Sequence, residues 1–455
     1  MVPVFSLGNA AERDHQLIEK YHMSESALIE SAAAGVFSAV SSVLHGRILI
    51  IVGPGNNGSD GLALFGILRA NGYNPDLLFL YERGNEENLR RRRELPSNVH
   101  IVSSASGYDV VFDALFGFSF HGTPDARTAE VLKEARSAKT VISVDVPSCN
   151  QIEADYTVAL MCWKTILFEP TKRGMAGKLF LHNPGFPESE LKASPDNIYL
   201  LSESDLKLPQ IKISDYKNTR GHLGIIGGSE RYTGAPRLAA RAAFFSGAGL
   251  VSIITESERV RDENPAVIIS SPEDADFAKY GALVIGPGWA EGNKALFERA
   301  LDSGKNLVLD ADALPFVPGH KMGYRAVLTP HIVEYKKLAA SLSVPDGLGD
   351  AEMLAESLRA IARETESVVV LKASTVWITD GSEIRIYDGV NPSLGVAGSG
   401  DVLAGIIGTM LLSAFSPFEA ATNGVLLHQK AGLKAHEEYG YYSAEELILS
   451  VGRCR

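Results

Sequence analysis

Short, unbroken apolar runs that stop at a glycine or an aspartate recur along this chain, and they constrain its fold more than any other feature. Ile48-Leu49-Ile50-Ile51-Val52 runs into Gly53. Val110-Val111-Phe112 stops at Asp113, and Val141-Ile142-Ser143-Val144 stops at Asp145. Leu77 to Tyr81 and Thr157 to Leu160 have the same character. Runs of this length between breakers read as strands buried on both faces, which belong to parallel sheets. Helical spacing fills the intervals. Apolar residues from Asn9 to Val43 recur at helical period, and Leu62 to Ala70 continues the pattern. Strands alternating with helices predict a parallel α/β sheet.

The pattern lapses between about His182 and His222, where proline and polar residues dominate, and this segment is the expected linker. It divides the 455 residues near Ser204 into expected domains 1–204 and 205–455. A second α/β series follows. Its strands are expected at His222 to Ile226, Val251 to Thr255, Ala282 to Ile285, Leu307 to Leu309, Ala326 to Leu328 and Val368 to Leu371. Asp380-Gly381 between two alternating runs predicts a hairpin. Helices are expected at Asp401 to Leu412 and Ala420 to Ala435.

Hydrophobic residues make up 45% of the chain and charged residues 22%, so the bulk of it can bury cores and is not disordered. The net charge of −12 disfavours general binding to nucleic acid or anionic membrane. Arg90 to Arg93 is the one basic run, read as a solvated helix face. Three cysteines without a CxxC pair suit a reducing compartment. The amino-terminal stretch lacks a signal-peptide pattern, and no uninterrupted apolar stretch reaches membrane-spanning length. A cytoplasmic, multi-domain protein is expected.

The glycines matter by position. Gly53-Pro54-Gly55-Asn56-Asn57-Gly58-Ser59-Asp60-Gly61 joins the first strand to a helix and contains the GxGxxG of dinucleotide-binding turns. Glu82, after the next strand, stands where a ribose-binding acid would sit. Asp60 argues against this reading, because its charge opposes a pyrophosphate seated on the helix dipole. Asn56 and Asn57 bring amide oxygens, which suit a cation or ligand hydroxyls. A plain glycine-rich turn with an Asp cap is the alternative. Asp113 and Asp145 close strands at the sheet edge where ligands gather, although either could cap a turn. Asp113 opens DALFGFSFHG, and Asp145 opens DVPS with Ser148.

These motifs, in this order, resemble the NAD(P)H-hydrate epimerase family over roughly residues 10–180. The resemblance implies a Rossmann-like three-layer domain that uses potassium. It implies that Asn57, Asp113 and Ser148 hold K+. It implies that Asn56, Asn57, Gly58, Ser59, Asp60, Gly117, Phe118, Ser119, Phe120, His121, Gly122, Thr123 and Asp145 contact the hydrate. Asp145 is then the acid/base residue. The sequence departs from the family pattern in two places. Ser59 replaces a glycine. Cys149 follows Ser148 where the family reads PSG, and a longer acidic loop is shortened to reach Ala154-Asp155.

In the second half, Gly395-Val396-Ala397-Gly398-Ser399-Gly400-Asp401 precedes an apolar helix. Small residues at a helix start expose consecutive amides as an anion hole. An aspartate there can accept a proton from a hydroxyl attacking a phosphoryl group; an ordinary N-cap is the alternative. Gly224 to Ser229 before Gly234-Ala235-Pro236, and Gly286-Pro287-Gly288, are either ligand loops or tight turns. Asp310 and Asp312 end a strand as magnesium ligands or as caps. His331 is a ligand contact or a structural residue. Lys372 reaches a phosphate or lies in solvent.

Together these elements resemble the ADP/ATP-dependent NAD(P)H-hydrate dehydratase family over residues 215–440, which implies a ribokinase-like α/β domain. The resemblance places Ala235, Gly288, His331 and Asp401 around the hydrate. It places Lys372, Ala373, Ser374, Thr375, Val376 and Gly400 on an adenine nucleotide carried with Mg2+. The lysine loop is one residue shorter than usual. The expected function is bifunctional repair: epimerisation of R- and S-NAD(P)HX, and ADP-dependent dehydration of the S form to NAD(P)H. The expected ligands are NADHX, NADPHX and ADP or ATP, with no nucleic acid or membrane partner, in a homo-oligomer. The rival is a ribokinase-like small-molecule kinase with a non-catalytic N-terminal binding domain. A hydride-transferring dehydrogenase rests on GxGxxG alone.

Overall fold

The computed structural model describes residues 1–118, 122–261, 264–389 and 391–454. The chain forms two compact units, Val2–Ile198 and Tyr199–Arg455, the latter joined by Met1. The division thus falls ahead of Ser204. The irregular, proline-rich composition marks the whole connecting segment, whereas the division lies inside the short strand Ile198–Leu200 near its start.

The first unit is built on seven parallel strands. Their order is Ile101–Val102, Asp76–Phe79, Ile48–Val52, Val110–Ala114, Thr140–Val144, Tyr156–Leu160 and Lys178–His182. The central strand explains why its sequence does not alternate. Ile48, Ile50 and Val52 face one core with Val36, Leu64 and Leu68 of helices Glu25–Val40 and Asn56–Ala70. Leu49 and Ile51 face the other, with Val131 and Leu132 of helix Ala126–Ala135. Both faces are covered, which makes the three-layer arrangement. Val2–Phe5 pairs in parallel with Trp163–Lys164.

Three expectations change in this unit. The helical segment from Asn9 to Val43 is two α-helices. His22 ends Leu7–Tyr21 in the left-handed conformation, and the Ser24 hydroxyl caps Glu25–Val40. With the short turn that follows it, Glu25–Val43 is long and apolar enough to cross a membrane by length and composition, which the sequence reading did not recognise. It packs Ile29, Ala33, Val36 and Val40 into the core, and its Glu30 pairs with Arg91. Finally, the basic run is not a solvated face. In helix Glu86–Arg93, Arg91 is buried on Glu30 at 2.6 Å and Glu87 at 2.8 Å. Arg92 donates to the Tyr81 carbonyl at 2.7 Å and stacks on Phe79, and Arg90 is held by Glu87 and Glu94. Only Arg93 is exposed.

The second unit has a parallel sheet in the order Val267–Ser270, Leu250–Ile254, His222–Ile226, Ala282–Ile285, Asn306–Leu309, Ala326–Leu328 and Val368–Leu371. The expected hairpin, Val376–Thr379 with Ile384–Tyr387, extends it antiparallel through the register Leu371↔Trp377. Helix Ser399–Met410 buries nearly every residue. It lies so close to helix Gly234–Ser246 that a Cβ on Gly405 would sit 2.2 Å from the Ala239 carbonyl oxygen. Helices Pro417–Tyr439 and Ala444–Arg453 complete that layer.

Candidate active sites

In the first unit the GxGxxG segment is mostly helix. Helix Asn56–Ala70 starts directly after Gly55, so Asn56, Asn57, Gly58, Ser59 and Asp60 form its opening turn rather than a loop. Gly58 is required by close approach: a Cβ there would lie 2.0 Å from the Gly53 carbonyl oxygen. Ser59, the departure from the family pattern, is buried and places its hydroxyl 3.4 Å from the Gly55 carbonyl oxygen.

Beside this turn lies a cavity of about 530 Å³. Of the residues expected to contact the hydrate, Asn56, Asn57, Asp60, Gly117, Phe118 and Asp145 line it. Gly58 and Ser59 do not, because they face the protein interior, and Gly122 and Thr123 are exposed and off the cavity wall. Ser119, Phe120 and His121 lie outside the described residues.

Asp145 is the focus of the cavity. It ends strand Thr140–Val144 with φ 70, a left-handed conformation that costs a non-glycine residue about 1–3 kcal/mol. Its N–H on the Val158 carbonyl at 2.8 Å holds the turn. One carboxylate oxygen accepts from Lys164 Nζ at 2.6 Å and from Leu160 N at 3.2 Å, and the other from Phe118 N at 3.4 Å. Asp145 is 4% exposed and Lys164 0%. Burial acts to lower the Lys164 ammonium, but the negative charge of Asp145 overrides it and leaves the group raised. Lys164 was absent from the sequence reading. Its signal was a lysine between apolar residues in Met161-Cys162-Trp163-Lys164-Thr165-Ile166-Leu167.

Asp60 is enclosed, and burial drives its carboxyl well above the carboxylate range. Asp145 and Asp14 add to the effect, and Arg91 opposes it. Asp113 and Ser148 do come together, at 2.5 Å, and Ser143 Oγ and Ser148 N also donate to Asp113. No cation partners Asp113 among the described residues; burial raises its carboxyl against these neutral donors. Both side-chain polar atoms of Asn57 are buried without a partner. Oxygen donors, an unsatisfied amide and a carboxylate without a cationic partner are the chemistry that suits a hard cation. Cys149, next to Ser148, has φ 58, where the family's glycine would be unstrained.

In the second unit the functional groups gather around the start of helix Ser399–Met410. Gly398, with φ 89, turns the chain into the helix without a side-chain cap; Ser399 N bonds the Val396 carbonyl at 3.2 Å, and among the described residues no side chain caps the amides that follow. A Cβ on Gly400 would sit 3.4 Å from Lys372 Nζ. That ammonium does not lie in solvent. It donates to Asp310 Oδ1 at 2.6 Å, and Thr329 Oγ1 donates to the same oxygen at 2.7 Å. Asp312 accepts from Ala290 N at 2.7 Å, close to Gly288. Asp401 is half-buried and its carboxyl is pushed up to about 7. Burial is the main cause; Asp310 and Asp312 add to it and Lys372 opposes it.

Gly288, with φ 61, is where a Cβ would meet Ala235 at 3.1 Å, so these two expected hydrate contacts are neighbours. His331 pairs by its backbone with Lys372. Its imidazole Nδ1 caps helix Ile332–Ser341 by accepting from Val333 N and Glu334 N. Among the expected nucleotide contacts, Ala373 is half-buried and Ser374 exposed. Thr375 is turned inward, where Trp377 Nε1 donates to its hydroxyl, and Val376 begins a buried strand. His428 was not anticipated. Its Nε2 lies 3.0 Å from the Ser399 carbonyl, and burial lowers its ring to about 4, so it supports the helix start as a neutral group.

Comparison with known proteins places both halves. Residues 223–451 match the family model described as NAD(P)H-hydrate dehydratase. Residues 25–166 match the model described as YjeF-related protein N-terminus. The bifunctional NAD(P)H-hydrate repair enzyme Nnr of Methanopyrus kandleri is 30% identical over 451 residues, covering 90% of this chain and 88% of the relative. The Escherichia coli enzyme of the same name is 29% identical over 420 residues, covering 84% and 79%. A ribokinase-like superfamily protein from Enterococcus faecalis shares the fold of the second unit, with a TM-score of 0.51 at 22% identity, covering 56% of this chain and 95% of that one.

Proposed function

Because this chain belongs to the bifunctional NAD(P)H-hydrate repair enzymes, we propose how its two sites divide that work. The enzyme repairs hydrated nicotinamide nucleotides through an epimerase domain and a dehydratase domain. The observation that carries the dehydratase assignment is Asp401, a half-buried carboxyl near neutrality at an uncapped helix start beside the Lys372–Asp310 pair.

In the second site Asp401 takes the proton of the ring hydroxyl as its oxygen attacks the terminal phosphorus of ADP, and the anhydride P–O bond breaks with its electron pair leaving on AMP. A base poised near neutral pH suits that step. The amides at the start of helix Ser399–Met410 face the charge that develops on the phosphoryl oxygens. Hydroxide, a poor leaving group, becomes phosphate. Its departure with the C–O electron pair, and loss of a proton from the neighbouring ring carbon, restore the double bond of NAD(P)H. Asp310 and Asp312 are the carboxylates on hand for Mg2+ arriving on the nucleotide, and the ion supplies charge neutralisation.

In the first site Asp145 exchanges the proton of the ring hydroxyl, and Lys164 fixes the carboxylate in place. Asn57, Asp113 and Ser148 would hold K+, which supplies a fixed positive charge beside the site. The enzyme works in the cytoplasm, as a homo-oligomer, on NADHX and NADPHX.

Incubating the chain with ADP and a mixture of both NADHX epimers tests the whole reading. Recovery of reduced-nicotinamide absorbance is expected, with both epimers consumed. A stable phosphorylated product without that recovery means a kinase. If the R epimer is left behind beyond spontaneous exchange, and Asp145→Ala matches wild type, the first site is not an epimerase.

A further inference from the structure

The first cavity holds a carboxyl to which the reading above gives no task. Asp14, in the middle of helix Leu7–Tyr21, lines the cavity together with Asp145, Asp60 and Glu25. It is half-buried, and among the described residues its carboxyl makes no hydrogen bond or ion pair. A carboxyl turned from mid-helix into a cavity, with nothing to cap and no cation to hold, has no structural role on view. Asp145 enters the same cavity from the sheet edge, so the two groups come from different walls.

We propose that Asp14 is the second proton-transfer group of the epimerase, acting with the Asp145–Lys164 pair on the hydroxyl-bearing ring carbon. This rests on the epimerase reading of the cavity and adds a residue to it. Water adds to an enamine double bond with its hydroxyl on the carbon bonded to nitrogen. To invert that carbon, the C–O bond breaks with both electrons on oxygen, which takes a proton and becomes water. The ring-nitrogen lone pair forms a C=N bond in its place. Water then adds to the other face: an oxygen lone pair makes the new C–O bond, the C=N electrons return to nitrogen, and the surplus proton passes to a carboxylate. One proton is given and one is taken, so the step balances without a co-reactant. It needs two groups in opposite protonation states on two sides of the ring.

The surroundings of Asp14 supply that asymmetry. Burial is the largest influence on it and raises its carboxyl above the ordinary range; Lys164 and His15 oppose this, and Asp145 and Glu25 reinforce it. Asp60, on helix Asn56–Ala70, is the other carboxyl coupled to it. Asp145 is paired with Lys164 at 2.6 Å, whereas Asp14 has no such partner among the described residues and holds its proton more readily than a free carboxyl does.

The test uses the full chain and chromatographically resolved R- and S-NADHX, with interconversion measured from about pH 5 to about pH 9. Wild type is expected to lose rate on the alkaline side as the donor ionises. Asp14→Asn is expected to lower kcat by about a hundredfold or more with little change in KM, and to abolish that alkaline limb. Asp14→Glu is expected to restore part of the rate and to displace the limb. Denaturant unfolding of the first unit, followed in the same preparations, reports its folding, and dehydration of the S epimer by the second unit is expected to be unchanged. Wild-type kcat and an intact limb in Asp14→Asn overturn the proposal, as does a limb that vanishes in Asp60→Asn but persists in Asp14→Asn. If Asp14→Asn does not fold, an undisplaced limb in Asp14→Glu overturns it. Wild-type interconversion no faster than the spontaneous exchange sinks the epimerase reading itself, an outcome distinct from an indifferent Asp14.

Discussion

The two units each set an aspartate at the centre of a candidate site, and they surround it in opposite ways. Asp145 is almost wholly enclosed, stands in a left-handed backbone conformation, and has a buried lysine 2.6 Å away. Asp401 sits in the first turn of a helix, half-buried, and its nearest lysine is already paired with Asp310. A carboxylate locked on a cation is held for position. One left among other carboxylates keeps its proton until near neutral pH, and so can act as a base in the physiological range.

The most damaging way to probe this contrast is at Asp401 itself. Asp401→Asn is expected to lower the dehydration rate by about 10²–10⁴-fold with the chain still folded. A loss under tenfold in steady-state kinetics would mean another group takes the proton. Next in size is Lys164→Met. Removing one partner of a buried pair costs about 3–5 kcal/mol, so the first unit should unfold at markedly lower denaturant. The double variant Asp145→Asn with Lys164→Met should recover much of that stability, though not epimerisation. If the single and double variants melt alike, the pair is not coupled.

A milder probe is pH. Asp401 must be ionised to accept a proton and its carboxyl lies at about 7, so dehydration should fall as pH drops below that value and level off above it. A rate unchanged across neutrality would remove the distinction between the sites. The smallest effect is expected at Cys149→Gly. Left-handed backbone costs a side-chain-bearing residue about 1–2 kcal/mol, and glycine's unfolded-state entropy returns part of it. A net gain of about 0.5–1 kcal/mol should appear as a small rise in Tm. A drop in Tm would show that the cysteine side chain contributes more than its backbone strain.

Much of the fold was legible because apolar runs and breakers are local signals. Ile48–Val52 and Val368–Leu371 could be read almost to the residue, since burial on both faces requires unbroken hydrophobicity. Helix starts were less visible. Asn56 to Asp60 looked like a loop because glycine and asparagine disfavour helix, yet close packing against Gly53 draws them into the first turn. Aspartates at strand ends were found because position in a sheet is written in the order of the chain. Lys164, Asp14 and His428 were not, because their roles depend on partners brought from distant segments. The arginine run was misjudged for the same reason: Glu30, Phe79 and the Tyr81 carbonyl are invisible to a reading of Arg90 to Arg93 alone.

The Lys372–Asp310 pair also bears on which anions can compete for the second site. A stray inorganic anion must pull the ammonium from a carboxylate 2.6 Å away and leave Asp310 with only the Thr329 hydroxyl for company. A phosphate chain that brings its own divalent cation offers both partners a replacement, the lysine an oxyanion and the aspartate a metal. Such an exchange would conserve charge on each side, so under the proposed function the pair would favour metal-loaded nucleotides over free phosphate.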